Sequence, residues 1–357
     1  MKTRLIYITI VFFITGLVSC GQGQVKTEEK AVLEGTIIVA SKSGNDVYFI
    51  DRESGETLVV LPTGLEPHEV EVSDDGRIAV VCNYGNRDNP GNTLTVYDVQ
   101  KGILHKTIDL GEHTRPHGMQ WVAGTNNLLV TTEGSRSLIM VDVKEGAVIQ
   151  VMDTEEEVSH MVAATNDFSR AFVPSIRTGN VAVFDLETGQ LIDHVYSGEG
   201  AEGIDVSPDG TEVWVTNRAD NTITIFDTQT LDVLAQLPCE DFPIRAKFTP
   251  DGTRFLVSNA RSGTIAVFDA INKLHMGDIK LTPPVPADTD DERYFAEFEG
   301  TSIPIGLVIP DNSYAYVANT RSDVVSVIDI EKLEITGHFD AGNEPDGINF
   351  SHLKPKL

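Results

Sequence analysis

Three histidines, His68, His117 and His160, each stand one residue before a recurring glycine position at the head of an alternating apolar segment. The chain has only nine histidines, so three at one repeat position exceed what random drift would place there. The same position holds Glu202 and Asp346 in two further copies, and Ile244 and Ile305 in the remaining two. Three imidazoles beside a carboxylate suit Zn²⁺ or copper, if ring nitrogens converge to about 2.0–2.1 Å from one ion. The same groups could contact a polar ligand. A plainer alternative is that the imidazoles point sideways, because the same parity continues as Val70 and Val72, Met119 and Trp121, and Val162 and Ala164. Those are positions that pack one unit against the next.

A second set of charged residues follows another strand of each unit. Lys42, Arg87, Arg136, Arg177, Arg218, Arg261 and Arg321 all fall within four residues of that strand's end. Gathered on one face they would attract anions and bind carboxylate or phosphate through paired N–H groups. The competing reading pairs each with an acidic neighbour such as Asp88, Asp220 or Asp323, or with acids of adjacent loops such as Glu66, Glu157, Glu199, Asp241, Glu299 and Glu344.

What must position these residues is an internal repeat. Seven short apolar strands end in aspartate, at Asp51, Asp98, Asp142, Asp185, Asp227, Asp269 and Asp329, with spacings of 47, 44, 43, 42, 42 and 60. A seven-residue strand precedes each, at 35–41, 77–83, 127–133, 170–176, 211–217, 253–259 and 313–319. A third element, typified by Gly203-Ile204-Asp205-Val206-Ser207-Pro208-Asp209-Gly210, starts near Pro67, Pro116, Ser159, Ala201, Pro243, Pro304 and Pro345. A fourth, less regular strand completes each unit. About 40 residues and four strands per unit predict an all-β, seven-bladed propeller over 34–357. The third element is offset by one unit, so the C-terminal strand must complete the N-terminal blade and close the ring.

Features present in every unit belong to architecture. The seven aspartates read as turn residues, and the Asp-Gly turns at 209–210 and 251–252 as hairpins. Gly198, Gly200 and Gly203 match G-x-G-x-x-G, but a strand follows where a helix is needed, so no dinucleotide site is expected. Departures from the repeat are more informative. An insertion at 282–302, with Tyr294, Phe295 and Phe298, and a smaller one at 84–92 both fall on the face that carries the histidines and the cations. The aromatic residues would either stack over a ligand or pack the loop onto the blade edge.

The segments Val213-Trp214-Val215-Thr216-Asn217 and Tyr316-Val317-Ala318-Asn319 resemble the YVTN-repeat propeller family, over essentially all of 34–353. The resemblance implies the fold. It extends to seven-bladed lactonases, which open cyclic esters at the channel mouth; there His68, His117 or His160 would act as base or metal ligand, Glu202 as base, and Arg177 or Arg218 would stabilise an oxyanion. It extends also to nitrous-oxide-reductase and cytochrome d1-type propellers, which use histidines at the same end, but no haem-attachment sequence occurs in this chain. The function expected is a binding module for a small anion, a glycan or a protein, presented on the face bearing the seven cations, Asp346 and Tyr294. A lactone hydrolase and a redox or metal-binding propeller are the alternatives.

Charge and leader bound the setting. The 357 residues carry 27 Lys and Arg against 54 Asp and Glu, a net charge of −27, which disfavours nucleic acid as a partner. Met1-Lys2-Thr3-Arg4, an apolar run to Val18, and Leu17-Val18-Ser19-Cys20 resemble a bacterial lipoprotein signal. Residues 1–19 are expected to be removed, Cys20 to be lipidated, and 20–33 to act as a flexible tether from the membrane. The expectation is a monomer anchored in the cell envelope, periplasmic or surface-facing. Cys82 and Cys239 fall in different units and are expected to remain thiols.

Overall fold

The computed structural model describes residues 34–283, 295, 297, 298 and 300–356. The expected signal, Cys20, the tether and Tyr294 lie outside the described residues. Twenty-eight strands, from β1 (Thr36–Ser41) to β28 (Pro345–Ser351), form seven antiparallel four-stranded sheets among them. Six blades are consecutive in sequence, and the remaining one has the order β28-β1-β2-β3, with β2 at Asp46–Asp51 and β3 at Thr57–Pro62. Ile37 pairs with Phe350 and Val39 with Ile348, so the C-terminal strand closes the ring as expected.

Burial follows position in the blade. The second strands are sandwiched between neighbouring blades and read as continuous apolar runs, as in β17 (Glu212–Asn217), where only the first residue is not fully buried. The outermost strands have one wet face, as β19 (Val233–Pro238) shows by alternating exposure. Trp214 packs edge-on to Phe248 of the next blade at 5.4 Å and tilts against Phe255 at 4.8 Å, so the core lies between blades rather than within one. Each strand-ending aspartate accepts the amide three residues on, Ser54, Lys101, Glu145, Thr188, Thr230, Asn272 and Lys332 in turn. That bond, repeated seven times, explains their recurrence without chemistry. Cys82 and Cys239 are buried free thiols.

The innermost strands begin at the top of the channel: β4 (Pro67–Val72), β8 (Pro116–Trp121), β12 (Ala163–Ala164), β16 (Ala201–Val206), β20 (Pro243–Phe248), β24 (Pro304–Val308) and β28. The residue before each starting position is left-handed: Glu66, Arg115, Val158, Gly200, Phe242, Ile303 and Glu344. Its carbonyl accepts the amide of Tyr84, Glu133, Ile176, Arg218, Ala260, Thr320 or Lys42, at 3.0–3.3 Å. One tight turn, sevenfold repeated, thus aims the first residues of every innermost strand at the channel mouth. The third copy differs from the regular strand expected from Ser159. There a single bridge, Ser159 to Ser175, precedes a two-residue strand. Met161 replaces the recurring glycine at this point, and the backbone of His160 is tied instead to Pro174, Gly118 and Thr131.

Candidate functional site

The recurring glycine position explains what fills the channel. A Cβ on Gly118 would lie 2.5 Å from Met161 Cα, and one on Gly347 only 2.2 Å from the His68 carbonyl, so neighbouring innermost strands touch there. In two blades the position carries opposite charges instead, Glu69 and Arg245. They meet across the axis, with Arg245 Nη2 2.7 Å from Glu69 Oε1 and its Nε 3.1 Å from the same oxygen. Arg245 Nη1 also reaches Glu202 Oε1 at 3.1 Å. This buried pair separates a cavity of about 400 Å³ at the top mouth from one of about 260 Å³ below.

Above the pair the three histidines form a continuous row. Ring centroids are 5.1 Å apart for His68 and His117 and 3.8 Å apart for His117 and His160. Acids flank the row at both ends. His68 Nδ1 contacts Asp346 Oδ2 at 2.6 Å, and His160 lies between Glu133 Oε1 (2.5 Å from Nδ1) and Glu202 Oε1 (3.2 Å from Nε2). Glu133 takes a second hydrogen bond from Tyr84 Oη at 2.5 Å, and Tyr84 carries the Arg115 guanidinium over its ring. Buried His117 has no hydrogen-bond partner at Nδ1 among the described residues, nor has Asp346 at Oδ1. Both residues line a small void of about 10 Å³ beside His160 and Glu202.

Electrostatics assign the charge states. Burial holds the His117 imidazole well below its ordinary range, and the nearby His160, His68 and Arg245 lower it further, so it is neutral. Burial opposes charge on His160 as well, but its contacts to Glu133 and Glu202 outweigh that and raise it. Glu202 is buried too, yet Arg218, His160 and Arg245 hold it down to about 2. Burial would raise Glu133, but His160 and Tyr84 keep it low. Burial and the Glu133 carboxylate together raise Tyr84, which stays a donor. An imidazole held between two carboxylates that favour its charged form is the electrostatic centre of the site.

The turn bond sorts the seven cations. Lys42 and Arg218 share one structural position with Tyr84, Glu133, Ile176, Ala260 and Thr320, because all seven donate the same amide bond. Arg177, Arg261 and Arg321 sit one residue later, and Arg87 and Arg136 three later. Among the described residues, four of the cations pair with acids: Lys42 with Glu344, Arg177 with Glu157, Arg218 with Glu202 and Arg261 with Asp241. Arg321 bonds the Phe298 carbonyl, while Arg87 and Arg136 are exposed. Two of the expected local partners also accept backbone amides: Asp220 that of Glu199 and Asp323 that of Glu344. Of the seven, only Arg177 and Arg218 line the top cavity. Phe298 is buried and stacks on Phe295 at 5.1 Å, edge-on to Phe242, with Arg261 over its ring.

Glu133, Tyr84, Glu69 and Arg245 escaped the reading of the sequence. The last two had a signal, since they are charged exceptions of opposite sign at a glycine position. Tyr84 opens the insertion at 84–92, which flagged its place but not its role, and Glu133 had no signal, because the residues equivalent to it have no common chemistry.

A family model for YNCE-like β-propellers matches residues 22–282. The chain belongs to the YNCE-like β-propeller family. No curated relative matches it by sequence. Among solved structures, this YNCE-like propeller is similar to hydrazine synthase of Kuenenia stuttgartiensis, at 18% identity and a TM-score of 0.67, covering 85% of this chain and 98% of that one. It is also similar to a functionally unknown protein of Desulfotomaculum acetoxidans, at 15% identity and a TM-score of 0.72, covering 89% and 99%. At such identities the likeness concerns the shape of the YNCE-like ring.

Proposed function

We propose that this propeller is a binding module that holds a small anion, carrying carboxylate or phosphate groups, in its top cavity. The observation that carries the reading is the charge balance of the cavity wall. The one acid among its lining residues, Glu133, already has His160 and Tyr84 as donors, and Arg218 is paired with Glu202, which lies outside the lining. Arg177 is 68% exposed and Arg218 23%, and a guanidinium has five donors of which the paired carboxylate engages few. An incoming anion therefore meets guanidinium donors, with the countercharge of Arg218 buried at Glu202. The Glu69–Arg245 pair crosses the axis below the histidine row, which suits capture at one end rather than passage.

A binding role accounts for more of the site than hydrolysis does. A general base works best with a pKa near the working pH. Glu202 is far below that and doubly salt-bridged, and the carboxylates on both sides of His160 favour its charged form, which leaves His68 and His117 of the four candidates.

Titration calorimetry of the full chain with small di- and tricarboxylates and inorganic phosphate tests the proposal. Saturable binding to the parent, lost in Arg177→Ala/Arg218→Ala, is expected. No binding to the parent by any of these anions, or equal binding by the double variant, overturns it.

A further inference from the structure

We infer that the floor of the top cavity is a divalent transition-metal site built by His117, Glu133 and His160. One ligand atom from each lies within 4.8 Å of the others. A tetrahedral ion with bonds of about 2.0–2.1 Å needs donors about 3.3–3.5 Å apart, a change that side-chain rotation supplies. Two nitrogens and one carboxylate oxygen suit Zn²⁺, with a fourth position left open to the cavity.

Two further observations point to an ion. The first is the His117 Nδ1 atom, buried in a polar cluster with no hydrogen-bond partner among the described residues, on a side chain 3% exposed. A buried imidazole nitrogen left bare costs free energy that a bound ion recovers. The second is the set of groups behind the three ligands. Metal-binding histidines characteristically give their other N–H to a carboxylate, and metal-binding carboxylates are themselves hydrogen-bonded. Here His160 Nε2 faces Glu202 Oε1 at 3.2 Å, leaving Nδ1 directed at Glu133 Oε1, while Tyr84 Oη holds Glu133 Oε2 at 2.5 Å. The His160–Glu133 hydrogen bond would open and Zn²⁺ would take the place of the shared proton, which leaves to solvent. His68 belongs to the supporting row rather than to the ligand set, because its Nδ1 is held by Asp346 at 2.6 Å.

The inference goes beyond the anion reading and rests on it only for what would fill the open position. Its test therefore contains no carboxylate or phosphate. Chelator-treated full-length chain is dialysed against Zn²⁺ and its metal content measured, with Co²⁺ as a spectroscopic substitute. One Zn²⁺ per chain and intense visible Co²⁺ bands of a four-coordinate site are expected. Stoichiometry should fall to zero in His117→Ala and Glu133→Gln and persist in His275→Ala, which alters an exposed histidine. Glu202→Gln should weaken Zn²⁺ by about 10–100-fold without changing the stoichiometry. Absence of stoichiometric Zn²⁺ in the parent chain, or unchanged uptake in folded His117→Ala and Glu133→Gln, overturns the inference. So does a weak octahedral Co²⁺ spectrum in the parent, which does not depend on any variant folding.

Discussion

Arg245 reaches across the propeller axis to Glu69, and the two are the only charged residues at a position that four of the seven blades fill with glycine. The pair is buried, so its Coulomb attraction is set against a large desolvation cost, and removing one partner leaves the other charge stranded.

That asymmetry gives the first prediction. Glu69→Ala should destabilise the chain by about 3–5 kcal/mol, whereas Glu69→Leu/Arg245→Met should recover most of the loss. Urea unfolding of the single and double variants measures both, and equal losses in the two would remove the plug from the account of stability.

The second concerns His160. Its folded pKa is raised, so its contribution is complete below about 6.5, where both states are protonated, and is lost as pH rises through the folded value. Glu202, lowered to about 2, contributes fully above its ordinary range and loses that contribution as pH falls toward 2. The difference in stability between the parent and His160→Gln should therefore be greatest near pH 5–6 and shrink toward pH 9. Chemical denaturation across that range checks it, and a difference that grows with pH contradicts it.

Glu71 in the lower cavity behaves in the opposite way to Glu202. Burial raises its carboxyl to about 7, against bonds from the Trp121 amide and the Asn349 side chain. Its raised folded value favours the neutral acid, so stability is highest below about 4.5 and declines as pH rises through 7. Glu71→Gln should lose that decline, as seen in unfolding midpoints at pH 4.5 and 7.5; a decline identical to that of the parent would assign it to another group.

The turn before the innermost strands yields the fourth. Val158 is left-handed at φ 59°, where Gly200 serves in the next blade at φ 74°. A β-branched side chain is costly in that region. Val158→Gly should be more stable than Val158→Ala by about 1 kcal/mol, since both remove the same packing and only alanine keeps the strain. Thermal unfolding of the two variants decides it.

Much of this protein was legible in its residues. The seven aspartates, the offset of the third element and the spacing near 42 gave the blade number and the closure of the ring, because a blade is a local unit whose turns need particular residue types. The histidine row was legible for the same reason, as a single position read across seven copies. The window that grouped seven cations was too coarse, because equivalence is set by strand register: Arg218 shares its position with Glu133 and Tyr84, whereas Arg136 lies three residues beyond it.

What the sequence determined by itself is the ring and the positions around its mouth, since hydrogen-bonded turns and alternating burial act between residues near one another in the chain. Which side chains meet there was decided only by the closed tertiary structure. The acidic partners of His160 lie 27 and 42 residues away, and those of Arg245 as far as 176. Their charge states follow from burial and from those distant neighbours together, which no local pattern encodes.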